Sequence, residues 1–203
     1  METRKKISVI LLMFGILLAI LHLSSSRSLI VNPSKLLSEV LNQDVYFTVD
    51  QTAKFIVNED TTVVIIDLRS KEEFRKICLP GAVNIPYESF IKSDPSLYFN
   101  DKSKRNIFYS NRDFYSNYAL VYSRGLGYRN AYVMSGGLNE WFRTVMESKF
   151  TGERISAREN SLFEIRTKAG RLFTQINTLP DSLRGKSMVS ARFTARKLDG
   201  GCE

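Results

Sequence analysis

The chain has 203 residues, 43% hydrophobic and 25% charged, which suits one ordinary domain with appendages and argues against wholesale disorder. Its net charge of +8 is uneven, because Arg143 to Glu203 holds 12 Lys/Arg against 7 Asp/Glu. One histidine (His22) and two cysteines (Cys78 and Cys202) leave too few ligands for a zinc centre and no Ser-His-Asp or Cys-His apparatus, so neither metal nor cofactor is expected.

In chain order, residues 1–6 are a short basic segment carrying Arg4, Lys5 and Lys6. Ile7 to Leu23 follows without a charge. As a helix it would be about 26 Å long, the short end of a membrane span. The expectation is an uncleaved signal anchor over 7–24, and a cleaved signal peptide is the alternative. The positive-inside rule puts residues 1–6 in the cytoplasm and the bulk of the chain on the non-cytoplasmic side, periplasmic or extracellular. Residues 25–44 read as a linker with a short helix from Pro33 to Asn42, opened by Asn32-Pro33. Asp50 is expected to cap a second helix.

Val63 to Ile66 is a continuous β-branched run ending at Asp67. Such a run suits a strand buried on both faces. Lys71 to Lys76 reads as a short helix, Asn106 to Tyr109 as a strand, Arg112 to Arg124 as a helix and Ala131 to Met134 as a strand. Gly136-Gly137 then opens a helix through Trp141. Strands alternating with helices predict an α/β domain on a parallel sheet, with bounds 45–146. In 147–203, Leu162, Phe163, Ile165, Ala169, Leu172, Phe173 and Ile176 make an amphipathic stripe that could pack on the domain, lie on a membrane or bind a partner. Beyond it, Ser182 to Lys197 contains five basic residues and no acidic one. Beside a membrane, such a tail suits solvent or anionic lipid. No nucleic-acid motif accompanies it, and nucleic acid is not an expected partner.

Four ordered blocks resemble the rhodanese family: Val64-Ile65-Ile66-Asp67-Leu68-Arg69-Ser70, Glu73 through Pro86, Asn106 to Ser116, and Gly127-Tyr128 through Trp141. The resemblance implies a five-stranded parallel sheet flanked by helices, with an active loop between a central strand and a helix N-terminus. It further implies that a cysteine opens this loop and carries sulfane sulfur as a persulfide. It makes Asp67 and Arg69 the paired residues beside the loop.

This chain departs from that pattern where the chemistry lies. Ser110 stands at the family's cysteine position, followed by Asn111, Arg112, Asp113, Phe114, Tyr115 and Ser116. Asp113 replaces the loop glycine and Tyr115 the loop arginine. A hydroxyl cannot form a persulfide, and no histidine base is present to activate it. Asp113 is expected to put a negative charge into a cradle meant for anions. The chain ends Gly200-Gly201-Cys202-Glu203, which reads as a thiol on a flexible arm. The expected function is a rhodanese-like module without thiosulfate turnover at Ser110, acting in binding or sulfur relay at a membrane with a protein partner or thiol acceptor. The alternative is a sulfurtransferase or carrier using Cys202, or less readily Cys78.

Overall fold

A computed structural model describes residues 2–23, 32–149 and 156–180. The first 30 residues and the remainder form separate compact units. In the first, α1 (Glu2–Leu23) is helical. Ile7 to Leu12, Met13, Phe14 and Ile16 to Leu18 present their side chains openly. The expected membrane span at 7–24 finds no support in the structure. Among the described residues no helix is long and apolar enough to cross a membrane.

In the second unit, α2 (Pro33–Val40) begins at Asn32, whose side chain accepts from the Ser34 N–H at 3.0 Å. It ends two residues before the expected boundary. Next come β1 (Tyr46–Phe47) and α3 (Val49–Val57). The cap of α3 is Thr48 rather than Asp50. Thr48 accepts from the Gln51 N–H while Gln51 accepts from the Thr48 N–H, a reciprocal pair that Asp50 lies inside.

The remaining elements are β2 (Val63–Asp67), α4 (Lys71–Lys76), β3 (Val83–Asn84), α5 (Tyr87–Lys92), α6 (Ser96–Phe99), β4 (Arg105–Tyr109), α7 (Asp113–Gly125), β5 (Ala131–Met134) and α8 (Gly137–Trp141). A wider π turn (Phe142–Met146) continues α8, and α9 (Ala157–Thr178) follows. The strands form one parallel sheet in the order β1-β5-β4-β2-β3.

Alternation along the central strands divides the core in two. Ile65, Ile107, Tyr109 and Met134 face one layer, with Val49 and Ala53 of α3, Trp141 of α8 and Phe173 of α9. Ile66, Phe108 and Val133 face the other, with Phe90 of α5, Phe99 of α6 and Leu120 of α7. Both faces of β2 and β4 are therefore covered, which is why their sequences are apolar runs rather than alternations. The carboxyl ends of β2, β4 and β3 meet along one edge. In an open parallel sheet that edge is where ligands and chemistry gather.

Candidate functional site at the carboxyl edge of the sheet

Asp67 closes β2 and is fully buried, and Arg69 two residues later is 5% exposed. The Asp67 carboxylate accepts from the Arg69 backbone N–H at 2.9 Å, from Nε at 3.0 Å and from Nη2 at 2.5 Å. Nη2 also donates to the Ile77 carbonyl at 2.7 Å, and Nη1 to Asn111 Oδ1 at 3.4 Å. Burial pulls the Arg69 guanidinium down, but hydrogen bonding and charge pairing with Asp67 outweigh it and the net direction is up. The pair thus ties β2, the segment before Cys78 and the loop after β4 into one polar knot.

Tyr109 lies beneath it, with the Arg69 guanidinium 5.7 Å from the ring centroid. Its hydroxyl accepts from the Leu79 N–H at 3.1 Å. Complete burial, reinforced by the charge of Asp67, pushes this phenol well above its ordinary value, so it stays protonated at physiological pH. Asn84 at the end of β3 donates to the carbonyls of Asp67 and Arg69 at 3.1 and 2.9 Å.

The loop itself is held from every side. Ser110 is 2% exposed, and its hydroxyl donates to the Arg112 carbonyl. Asn111 Nδ2 donates to Glu73 Oε1 at 2.7 Å. Glu73 also accepts from the Ser70 N–H through Oε2 at 3.2 Å, so one carboxylate caps α4 and anchors the loop. The Asn111 hydrogen bond, opposed by burial, holds the Glu73 carboxyl below its usual range. The N–H groups of Leu138 and Asn139 donate to the carbonyls of Ser110 and Asn111 at 2.8 and 3.1 Å. Gly137 makes this approach possible. It sits at φ +60°, and a Cβ there would lie 2.5 Å from the Ser110 carbonyl oxygen and 2.9 Å from the Arg112 nitrogen. No other residue type fits both constraints.

Asp113 is the residue expected to bring a negative charge to the loop. Oδ1 accepts from the Gly136 N–H at 2.5 Å, so the negative charge is spent on bracing the loop against the start of α8. Arg112 is exposed and precedes α7 without a side-chain cap. Phe114 and Tyr115 project outward at 60% and 46% exposure. Tyr115 contacts the Tyr87 ring at 5.0 Å between centroids, and Phe114 contacts Tyr118 at 4.5 Å.

Cys78 is fully buried, and its backbone is clasped by Asn177 of α9. Asn177 Oδ1 accepts from the Cys78 N–H and Nδ2 donates to the Cys78 carbonyl, both at 2.9 Å. Cys202 lies outside the described residues. Among the described residues no three His, Cys, Asp or Glu side chains group as metal ligands. The structure therefore brings together Asp67, Arg69, Ser110 and Asn111, and pairs Asp113 with the Gly136 N–H. Glu73, Asn84, Tyr109, Gly137 and Asn177 also build the site, and sequence reasoning gave none of them a role there. The Ser70-x-x-Glu73 capping spacing was the visible signal for Glu73. Asn177 carried no local signal.

Residues 48–144 match the family described as the rhodanese-like domain. The chain is 31% identical over 113 residues to the adenylyltransferase and sulfurtransferase UBA4 of Scheffersomyces stipitis, covering 51% of this chain and 25% of that protein. It thus spans about a quarter of the length of the curated relative it matches. Among solved structures, the BH2092 protein of Bacillus halodurans is similar at 19% identity and TM-score 0.46, over 64% of this chain and 99% of that one. The single-domain sulfurtransferase RDL2 of Saccharomyces cerevisiae is similar at 20% identity and TM-score 0.42, over 48% and 88%.

Proposed function

We propose, from the premise that residues 48–144 are a rhodanese-like domain related to sulfurtransferases, that this domain does not turn over thiosulfate at Ser110 and works as a binding or sulfur-relay module. The observation that carries the reading is the Ser110 loop. A hydroxyl has no route to a persulfide, and this one is committed to the Arg112 carbonyl. The Asp113 and Asn111 side chains occupy the Gly136 N–H and Glu73 in turn, so the loop's polar groups support the loop itself.

The site of action in this reading is a membrane. Residues 7–24 hold the chain there, and the domain lies on the periplasmic or extracellular side. What supports it is the uncharged run from Ile7 to Leu23 behind Arg4, Lys5 and Lys6. The partner is a protein or a thiol acceptor.

The test is conversion of thiosulfate and cyanide to thiocyanate by the full chain. The expected rate is that of buffer. Ser110→Cys should add little, because Asp113 and Tyr115 still stand where the family has glycine and arginine. A wild-type rate well above buffer would overturn the reading.

A second reading places the sulfur-carrying thiol at Cys202. The burial of Cys78 favours Cys202 over Cys78. Incubation with a sulfane donor followed by mass spectrometry should then show one added sulfur atom on the peptide holding Cys202. Its absence there would remove this reading.

A further inference from the structure

The side chains that α7 shows to solvent are of one kind. Phe114, Tyr115, Tyr118 and Val121 are 60%, 46%, 49% and 37% exposed, and they are its only exposed residues. A helix on the surface of a domain ordinarily turns charged residues outward. This one turns none. Asp113 is bound to the Gly136 N–H, and Arg124 is 7% exposed, with Nη2 donating to the Ala131 carbonyl at 2.9 Å. Phe114, Tyr118 and Val121 follow at i, i+4 and i+7, so they form one stripe down the helix. The rings are continuous. Phe114 lies 4.5 Å from Tyr118 and 5.4 Å from Tyr115 between centroids, and Tyr87 of α5 lies 5.0 Å from Tyr115.

Size and charge say what covers this face. Three half-exposed aromatic rings with Val121 offer roughly 400 Å² of apolar surface. A stable interface takes about 800 Å² from each partner, little more than half of it apolar. The stripe therefore supplies the apolar part of one side of a dimer. Arg112, exposed, stands at the N-terminus of α7 without capping it. A cation there sits at the positive end of its own helix dipole, which is unfavourable. When a second α7 lies antiparallel against the first across a two-fold axis, Arg112 of each copy comes to the carbonyl end of the other helix, where a cation is favourable. Tyr118, near the middle of this 13-residue helix, then meets its own copy. A lipid surface calls instead for cations ranged beside the apolar residues, and α7 exposes none from Phe114 to Gly125.

We propose that the stripe Phe114, Tyr118 and Val121, with Tyr115 and Tyr87 beside it, is the contact between two copies of this chain, packed helix to helix about a two-fold axis near Tyr118. A self-complementary surface of this kind closes at two subunits. Because α7 begins directly after the Ser110 loop, each loop is bordered by the other copy's α7. The inference goes beyond the functional reading and does not depend on whether Ser110 turns over thiosulfate.

The test is sedimentation velocity of the full chain in detergent at about 10 μM, above the weakest affinity that an interface of standard size shows. The expected species is a dimer. Phe114→Ser with Tyr118→Ser alters exposed side chains only and should raise the dissociation constant about tenfold or more. Arg112→Glu suits its own helix N-terminus but sets a negative charge at the carbonyl end of the other. It should weaken the dimer about threefold and leave the circular dichroism unchanged. In a Cys202→Ser background, with Cys78 fully buried, Tyr118→Cys should give a disulfide-linked dimer on mild oxidation. Leu97→Cys, at a position 70% exposed on α6, should not. A monomer at this concentration would overturn the proposal. So would a dimer indifferent to the α7 substitutions, which is the outcome of association through residues 1–23, and so would equal crosslinking from both positions. Thiocyanate formation is measured separately, so an active Ser110 loop would refute the functional reading and leave this one to the sedimentation data.

Discussion

Glu73 shows how much one side chain settles at this site. Its carboxylate receives the Ser70 N–H as a helix cap and the Asn111 amide as a loop anchor, and the second bond is the larger cause of its lowered pKa. A carboxyl depressed in the folded state contributes stability that is present above its unfolded value of about 4.3 and is lost as pH falls through the folded value. The anchor is thus intact at neutral pH and fails on acidification. Asn111→Ala should move the Glu73 pKa up towards 4.3, read by NMR titration of the carboxyl carbon. An unchanged pKa would show that the Asn111 contact is not what lowers it. The Ser70-x-x-Glu73 spacing was open to view in the sequence as a cap. Its second partner lies 38 residues away and was not, because nothing in either local pattern refers to the other.

At the scale of elements, α9 decides where the domain ends. The apolar stripe from Leu162 to Ile176 marked it as amphipathic and left its partner open. In the structure Phe173 is 2% exposed against Trp141 and Phe142, Ala169 is fully buried, and Arg166 makes two 2.7 Å bonds to Asp50 of α3. The helix therefore extends the core beyond the 48–144 stretch matched by the family. Phe173→Ala should cost about 3 kcal/mol or more in urea denaturation, because it opens a cavity against Trp141. Asn177→Ala should cost about 1 kcal/mol, leaving the buried Cys78 backbone groups without their clasp. Its signature is faster amide exchange at Cys78 with the sheet unaffected. Equal loss of protection across the sheet would mean that α9 and the domain unfold as one unit, not through a local clasp.

For the molecule as a whole, charge and hydropathy divide the chain into parts of different composition. Residues 1–23 pair a basic start with an uncharged apolar run from Ile7 to Leu23, the middle is a core of two layers on the sheet, and the stretch after 180 is rich in cations. If residues 7–24 hold the chain at a membrane, the full protein should sediment with membranes and resist carbonate extraction, and removal of residues 2–30 should release it to the supernatant. Sedimentation that carbonate abolishes would place the attachment in surface charge instead.

The sequence by itself determined the alternation of strands and helices, the four ordered blocks, and the serine at position 110. Those are statements about residue type and short-range period, and period 2 or 3.6 is written in the chain. Only the tertiary structure decided how the loop is held. It turned Asp113 towards the Gly136 N–H, set Gly137 against the Ser110 carbonyl, and joined Asn177 to a backbone 99 residues earlier. Short polar side chains such as these have several local partners available, and which one they take depends on the distances that packing of the two cores imposes.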